Sequence, residues 1–277
     1  MIAILLALGS SLTWGAADFA GGFASRRLPV ATVAFLSQAA GFVVLIAFAA
    51  GSGAPLHRDG LLLGLAAGAG GGIGLAAFYA ALARGTMSVV SPIAACGAVV
   101  PLGLALAGGE RPNALALGGA VLALGGAILA SVEERRATES DRRSAVLLAL
   151  LAAVALGCFV YFLGLGSQHG GSLSALLGAR IGSFTLLGIL VIRLRSPLRA
   201  APLQLAAVAA IGIVDVSANA LFALASERGL LAIVSVLGSL YPIATVLLAH
   251  VVLGERLTRT QRGGVVVALV GVALVSA

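Results

Sequence analysis

Charged residues are scarce in this sequence. They make up 10% of the 277 residues, whereas soluble globular proteins carry about 25%. Hydrophobic residues account for 60% of the chain, and the mean hydropathy is +1.13. This small number of charged side chains cannot cover a surface that faces water. The composition therefore excludes an ordinary soluble domain. It predicts a protein that crosses a membrane many times.

Other residues are rare or missing, and their scarcity excludes further classes of function. The chain contains no lysine, so it has no G-x-x-x-x-G-K-[ST] loop for a nucleotide. The histidines His57, His169 and His250 lie on different segments, while Cys96 and Cys158 lie in apolar runs. This scatter predicts no metal site, no disulfide, no cofactor and no catalytic residue. The net charge of +7 comes from arginines in loops, which indicates orientation in a membrane rather than nucleic-acid binding.

Ten apolar segments follow one another along the chain. Each is close to the roughly 20 residues that a helix needs to cross the hydrocarbon core. The segments are Ile2–Gly22, Val30–Ala50, Leu61–Leu82, Met87–Ala107, Asn113–Ser131, Ala145–Leu165, Leu173–Ile192, Pro202–Ala225, Leu230–Leu253 and Gly263–Ser276. The sequence therefore predicts an all-α membrane protein with ten transmembrane helices.

A polar stretch, VEERRATESDRRS at residues 132–144, divides the chain into two halves that match each other. The matching pairs are Arg84-Gly85 with Arg228-Gly229, Glu110-Arg111 with Glu255-Arg256, and Gly118-Gly119 with Gly263-Gly264. Because each half has five spans, the second half enters the membrane from the opposite side. We predict two inverted five-helix repeats, residues 1–131 and 145–277, joined by a charged loop at residues 132–144.

The arginines outside the spans are distributed unequally between the two sides of the membrane. On the side of the termini the loops hold three, Arg58, Arg111 and Arg228. The other side holds thirteen: Arg26, Arg27, Arg84, Arg135, Arg136, Arg142, Arg143, Arg193, Arg195, Arg199, Arg256, Arg259 and Arg262. Basic loops stay in the cytoplasm. This bias predicts a cytoplasmic loop at 132–144, and both termini outside the plasma membrane, as in a bacterial inner membrane.

Three stretches resemble a known family of membrane proteins. The motif G-E-R occurs at residues 109–111 and again at 254–256, each time before a glycine-rich last helix. The first segment carries TWGAADFAGGFASRR at residues 13–27. Over nearly its whole length the chain resembles the EamA-like family of the drug/metabolite transporter superfamily. The resemblance implies ten helices in two inverted repeats and the export or uptake of amino acids, metabolites or drugs, without fixing a substrate.

Charged residues inside the spans are the first candidates for a binding site, because burying a charge in a bilayer is costly. Arg180 and Asp215 fall near mid-depth in the seventh and eighth segments, and Asn219 follows Asp215 by one turn. In a functional interpretation Arg180 binds a carboxylate and Asp215 an ammonium group or a proton. The alternative is a salt bridge that only joins two helices.

Asp18 lies one turn after Trp14 in the first segment, and the pair is predicted to line a cavity. In the alternative, Asp18 neutralises Arg26 or Arg27. Gln38 corresponds to Arg180 under the repeat. The predicted substrate-binding residues are Trp14, Asp18, Gln38, Tyr79, Arg180, Asp215, Asn219 and Tyr241. Glu110 and Glu255, at helix ends, are expected to cap a helix or to pair with the neighbouring arginine.

The predicted function is secondary active transport of a small metabolite, an amino acid or a related solute, by alternating access, with export as the expected direction. A coupled proton, carried by Asp18 or Asp215, is the candidate driving ion. An uptake or drug-efflux carrier of the same fold stays open, as do a channel and an intramembrane enzyme. The expected partners are a small-molecule substrate and the lipid bilayer, with no nucleic acid. Both a monomer and a homodimer fit the sequence.

Overall fold

The computed structural model of the chain describes residues 1–84, 90, 93–94, 96–131, 139–253 and 258–276. Within these residues the secondary structure is entirely helical, and no strand occurs. The prediction of an all-helical chain is therefore confirmed. The first part of the predicted segment Met87–Ala107, residues 132–138 of the predicted loop, and Glu255 lie outside the described residues.

The described residues form eleven α-helices and one short 3-10 helix. The first half of the chain contains α1 (Ile2–Ala24), α2 (Val30–Ser52), α3 (Arg58–Arg84), α4 (Val99–Ala107) and α5 (Ala114–Ser131), with the 3-10 helix Cys96–Ala98 directly before α4. The second half contains α6 (Glu139–Gly170), α7 (Ser172–Leu194), α8 (Pro202–Ser226), α9 (Leu231–Gly238), α10 (Tyr241–Leu253) and α11 (Arg259–Ser276).

Six of these helices are long and apolar enough to cross a membrane: α1, α2, α3, α6, α7 and α8. The shorter apolar helices cover Cys96–Ala107, Ala114–Leu129 and Leu231–Thr245. The long helices begin and end within a few residues of the predicted segments, except α6. This helix begins at Glu139, inside the predicted loop, rather than at Ala145. An apolar run shows only the part of a helix that lies in the hydrocarbon core. A helix such as α6 that continues into water is therefore longer than its apolar run.

The ninth predicted segment, Leu230–Leu253, is two helices rather than one. The helix α9 ends at Gly238 and α10 begins at Tyr241. Between them the backbone N–H of Leu240 donates to the carbonyl oxygen of Leu237 at 3.3 Å, a 3-10 type bond. Pro242, which has no N–H, stands at the second position of α10, where no intrahelical donor is needed. The chain is therefore interrupted near the middle of the span, where irregular backbone is tolerated only inside the protein.

Helices of the two halves interdigitate. The helix α3 packs against α6 and α7, α1 and α2 pack against α8, and α5 packs against α11. Two glycines in the second half show how close these contacts are. A Cβ on Gly178 would lie 2.3 Å from the carbonyl oxygen of Leu61, and one on Gly212 would lie 1.9 Å from that of Ser37. Small residues thus bring α7 onto α3 and α8 onto α2, as is common between membrane helices.

Two glutamates bind the first backbone N–H groups of helices elsewhere in the chain. The carboxylate of Glu110 accepts hydrogen bonds from the N–H groups of Leu231 and Ala232, each at 2.8 Å, and so caps α9. Glu227 accepts from the N–H of Ser172 at 2.6 Å and caps α7. The expectation of a capping role for Glu110 is confirmed, but the capped helix belongs to the other half of the chain.

Candidate functional site

Arg180 and Asp215 meet inside the helix bundle. Arg180 is the ninth residue of the 23 in α7, and Asp215 is the fourteenth of the 25 in α8. The Nη2 atom of Arg180 lies 2.7 Å from Oδ2 of Asp215, and the two side chains are 3% and 20% exposed. The buried guanidinium of Arg180 and the half-buried carboxylate of Asp215 therefore form an ion pair near the middle of both helices, as the sequence predicts for their positions.

The side chain of Gln38 joins this pair from α2. Its Nε2 atom donates to Oδ2 of Asp215 at 3.1 Å, and its Oε1 atom accepts from Nη1 of Arg180 and from Oγ of Ser183, the latter at 3.0 Å. Gly212, one turn before Asp215, allows α2 to approach α8 closely enough for this contact. One amide thus connects the first half of the chain to both members of the ion pair.

Asn219 extends the network towards α1. Its Nδ2 atom donates to Oδ2 of Asp215 at 3.2 Å, as the spacing of four residues on α8 allows. Its Oδ1 atom accepts from Nε1 of Trp14 at 2.9 Å. A single oxygen of Asp215 therefore accepts three hydrogen bonds, from Arg180, Gln38 and Asn219. Through Nη1 and Nη2, Arg180 thus binds two groups of the protein itself, Gln38 and Asp215.

The network borders a cavity of about 80 Å³. Its polar lining residues are Trp14, Asp18, Gln38, Arg180, Ser183, Asp215, Asn219, Ser239 and Tyr241. Apolar walls come from α3, α6 and α7 and include Phe78 and Phe159. The ring of Trp14 packs edge-on against Phe159, with ring centroids 6.3 Å apart. Small-molecule sites usually have volumes of about 300–1,000 Å³, so this cavity is smaller than most such sites.

The cavity brings together seven of the eight predicted residues, and Tyr79 is the exception. Tyr79 is 2% exposed and packs with its hydroxyl end against Gly21 of α1 rather than lining the cavity. Sequence reasoning missed Ser183, Phe159 and Ser239. Ser183 follows Arg180 by three residues on α7, so its position on the same helix face was available as a signal. Ser239 was not identifiable, because it lines the cavity only through the break after α9.

Asp18 differs from Asp215 in its surroundings. Its side chain lines the cavity, and within the described part of the chain it has neither a hydrogen-bond donor nor an ion-pair partner. The alternative pairing with Arg26 or Arg27 does not occur there, and the guanidinium of Arg27 lies over the ring of Phe23, 5.1 Å from its centroid. The structure thus places two carboxyl groups at the same cavity: Asp215 has a cationic partner, and Asp18 has none among the described residues. In the same described residues, His, Cys, Asp and Glu form no cluster able to hold a metal ion.

These features define a class: an integral, multi-pass, all-helical membrane protein with a buried polar network at a central cavity. The chain belongs to the EamA-like transporter family, whose model matches residues 1–132 and again 143–277, and thus to the drug/metabolite transporter superfamily.

Similarity to solved structures supports the same fold. Nineteen chains of solved structures match this chain. One of them, a crystal structure of a protein, superposes with a TM-score of 0.80 at 18% sequence identity and covers 99% of this chain and 98% of its own. No match was found among curated proteins. At this identity the likeness defines the fold alone.

Proposed function

We propose that the protein is a secondary active transporter that moves a small metabolite, an amino acid or a related solute, across the plasma membrane by alternating access. The observation that carries this proposal is the buried network of Arg180, Asp215 and Gln38, which connects both halves at a cavity near mid-depth. Ionisable groups inside membrane spans mark substrate or ion pathways. Export is the proposed direction, and an uptake or drug-efflux carrier would use the same cavity.

The packing of the helices supports two inverted repeats, which we propose as the architecture. Under the repeat α1 corresponds to α6 and α3 to α8. The contact of α3 with α6 then has its counterpart in the contact of α8 with α1, and both contacts are present. The contact of α5 with α11 is its own counterpart and is also present. In transporters of this kind the substrate binds at the repeat interface near the bilayer midplane.

The small volume of the cavity supports a mechanism in which helices move. A space of about 80 Å³ is too small for most metabolites, so substrate entry requires the lining helices to separate. The helix is interrupted between Gly238 and Tyr241, within the ninth span. A movement at this boundary breaks few backbone hydrogen bonds and therefore costs little free energy. Interrupted helices of this kind occur at transporter sites.

We propose a proton gradient as the driving force, with Asp18 and Asp215 as the candidate proton carriers. The proposed location is a bacterial inner membrane, with the loop at 132–144 in the cytoplasm and both termini outside. The arginine bias of the loops supports this orientation. The repeat builds a complete cavity within one chain, so transport requires no second copy, and both a monomer and a homodimer fit the proposal.

Reconstitution of the purified chain into proteoliposomes tests the proposed function. The twenty amino acids and a panel of small amines are applied with and without an imposed proton gradient, and the resulting currents or fluxes are measured. We expect saturable flux of at least one solute class that accelerates with the gradient. Flux that rises linearly with concentration indicates a channel, and absence of any flux above empty liposomes contradicts a transporter.

A further inference from the structure

The cavity has an unbalanced charge. Three charged side chains line it within the described residues, Asp18, Arg180 and Asp215, and they sum to one negative charge when all are ionised. Arg180 and Asp215 neutralise each other across 2.7 Å. Within the described residues Asp18 has no cationic partner, so the remaining negative charge belongs to Asp18 when this carboxyl group is ionised.

The guanidinium of Arg180 already binds two groups of the protein. Nη1 of Arg180 donates to Gln38 and Nη2 donates to Asp215, and the side chain is only 3% exposed. A bound anion would compete with these two hydrogen bonds for Arg180 and would also meet the ionised carboxylate of Asp18. Binding of a substrate carboxylate by Arg180 stays a prediction, and it would compete with the hydrogen bonds to Gln38 and Asp215.

Aromatic rings surround the same cavity. Trp14 lies one turn from Asp18 on α1, and Phe78, Phe159 and Tyr241 come from three other helices. Aromatic faces attract cations, and the attraction strengthens where water is excluded. A carboxylate that has no partner among the described residues, placed among aromatic rings, matches the chemistry of an ammonium group attached to an apolar body.

We propose that this site selects solutes carrying one positive charge, an ammonium group joined to an apolar or aromatic body, and that Asp18 is the residue that recognises the charge. The proposal rests on the proposed transport function, because it names the substrate class of the same cavity. It assigns different roles to the two carboxylates. Asp18 contacts the ligand, whereas Asp215 holds Arg180, Gln38 and Asn219 in position.

A series of probes of similar shape and different charge tests the proposal. Phenethylamine, 2-phenylethanol, 3-phenylpropionate and phenylalanine are titrated onto the full chain in lipid nanodiscs, and binding is measured by calorimetry. We expect phenethylamine to bind about tenfold tighter than the alcohol, and the anion and the zwitterion to bind more weakly still. Equal or tighter binding of the alcohol, the anion or the zwitterion overturns the proposal. So does the absence of phenethylamine binding at millimolar concentration.

Variants of Asp18 test the assignment of the residue. Asp18→Asn is expected to reduce phenethylamine binding to the level of the alcohol, while Asp18→Glu keeps the preference for the cation. The matched control is Asp59→Asn, at an exposed position in the first turn of α3, which leaves the preference unchanged. A cation preference that survives in Asp18→Asn overturns the role of Asp18. If Asp18→Asn does not fold, Asp18→Glu decides the question. Loss of the cation preference in Asp18→Glu overturns the role of Asp18, and a retained preference supports this role.

Flux measurements separate this proposal from the proposed function. Cation-selective binding without flux in proteoliposomes contradicts transport and keeps the substrate class. Saturable flux of neutral or anionic solutes without a preference for phenethylamine keeps transport and overturns the substrate class.

Discussion

The ion pair between Arg180 and Asp215 allows the two interpretations of these residues to be separated by a double-mutant cycle. The perturbations are Arg180→Met, Asp215→Leu and the combination of both. Each single change leaves one charge buried without its partner, while the double change removes both charges and fills the space with apolar atoms. The cycle therefore measures the coupling between the two side chains.

The magnitude follows from the geometry. Two unit charges 2.7 Å apart attract by about 6 kcal/mol at an effective dielectric constant of about 20. Desolvation offsets much of this attraction, but removing one partner alone costs about 3–5 kcal/mol because the other charge is left uncompensated. Gln38 and Asn219 also lose a partner when Asp215 is replaced. We expect the double variant to be more stable than the sum of the single effects predicts, by about 2–3 kcal/mol.

The assay is reversible unfolding of the purified protein in mixed micelles, followed by helical circular dichroism. A matched control is the same cycle on Arg58 and Asp59, neighbouring residues of the same two types that are exposed at the start of α3. There we expect effects within about 0.5 kcal/mol that add up. Additive effects at Arg180 and Asp215 would refute the claim that a buried pair holds α7 and α8 together.

The same variants decide whether the ion pair only stabilises the fold or is also needed for transport. If the ion pair only joins two helices, the apolar double variant keeps both its fold and its transport activity. We expect it to fold and to lose transport, because Gln38 and Asn219 no longer have the carboxylate that orients them. Transport at the wild-type rate in the double variant would support the structural alternative.

Three further predictions concern the capping, packing and orientation of the helices. Glu110→Gln should lower the free energy of unfolding by about 1–2 kcal/mol, because the carboxylate that caps α9 is lost. Gly212→Ala should cost about 3 kcal/mol, since the added methyl group meets a carbonyl oxygen of α2, whereas Gly103→Ala, which meets open space, should be neutral or slightly stabilising. In a background without native cysteines, Ala54→Cys should react with an impermeant maleimide from outside the cell, and Ala201→Cys only after permeabilisation.

Each of these predictions has a contradicting result. Unchanged thermal stability of the glutamine variant would show that the cap contributes nothing. Similar stability of the two glycine variants would contradict the close approach of α2 and α8. Labelling of both cysteines from the same side would contradict the predicted threading of the chain, since the two positions are separated by an odd number of spans.

The depth of the polar residues could be predicted from the sequence, but their partners could not. Counting residues along apolar segments places Arg180 and Asp215 near mid-depth, and the repeat adds Gln38. Which face of a helix meets which neighbour depends on close approaches such as that of Gly212 to the carbonyl oxygen of Ser37. The chain contains 38 glycines, and the sequence does not show that Gly212 is the one that contacts α2. The hydrogen bonds of the network therefore required the structure.

Tyr79 and the ninth span show a second limit. Hydropathy in a membrane helix is high on every face, so the pattern does not distinguish a residue that lines a cavity from one that packs against a neighbour. Tyr79 was for this reason assigned to the cavity, and it packs against α1 instead. A run of apolar residues likewise cannot show a break, because Ser239 and Leu240 fit a continuous helix as well as an interrupted one.

Glu110 connects the packing at one surface of the membrane to the central cavity. Read locally, it would pair with Arg111, but its carboxylate binds the first two N–H groups of α9 in the other half of the chain. The helix α9 has eight residues, so it is about 12 Å long, and directly beyond its far end Ser239 lines the cavity. A short helix held at one end therefore transmits any displacement of Glu110 to the cavity wall. In the proposed alternating access, opening on the side of the termini requires either that this cap breaks or that Glu110 and α9 move together. Comparing the stability of Glu110→Gln with its transport rate distinguishes breakage of the cap from joint movement.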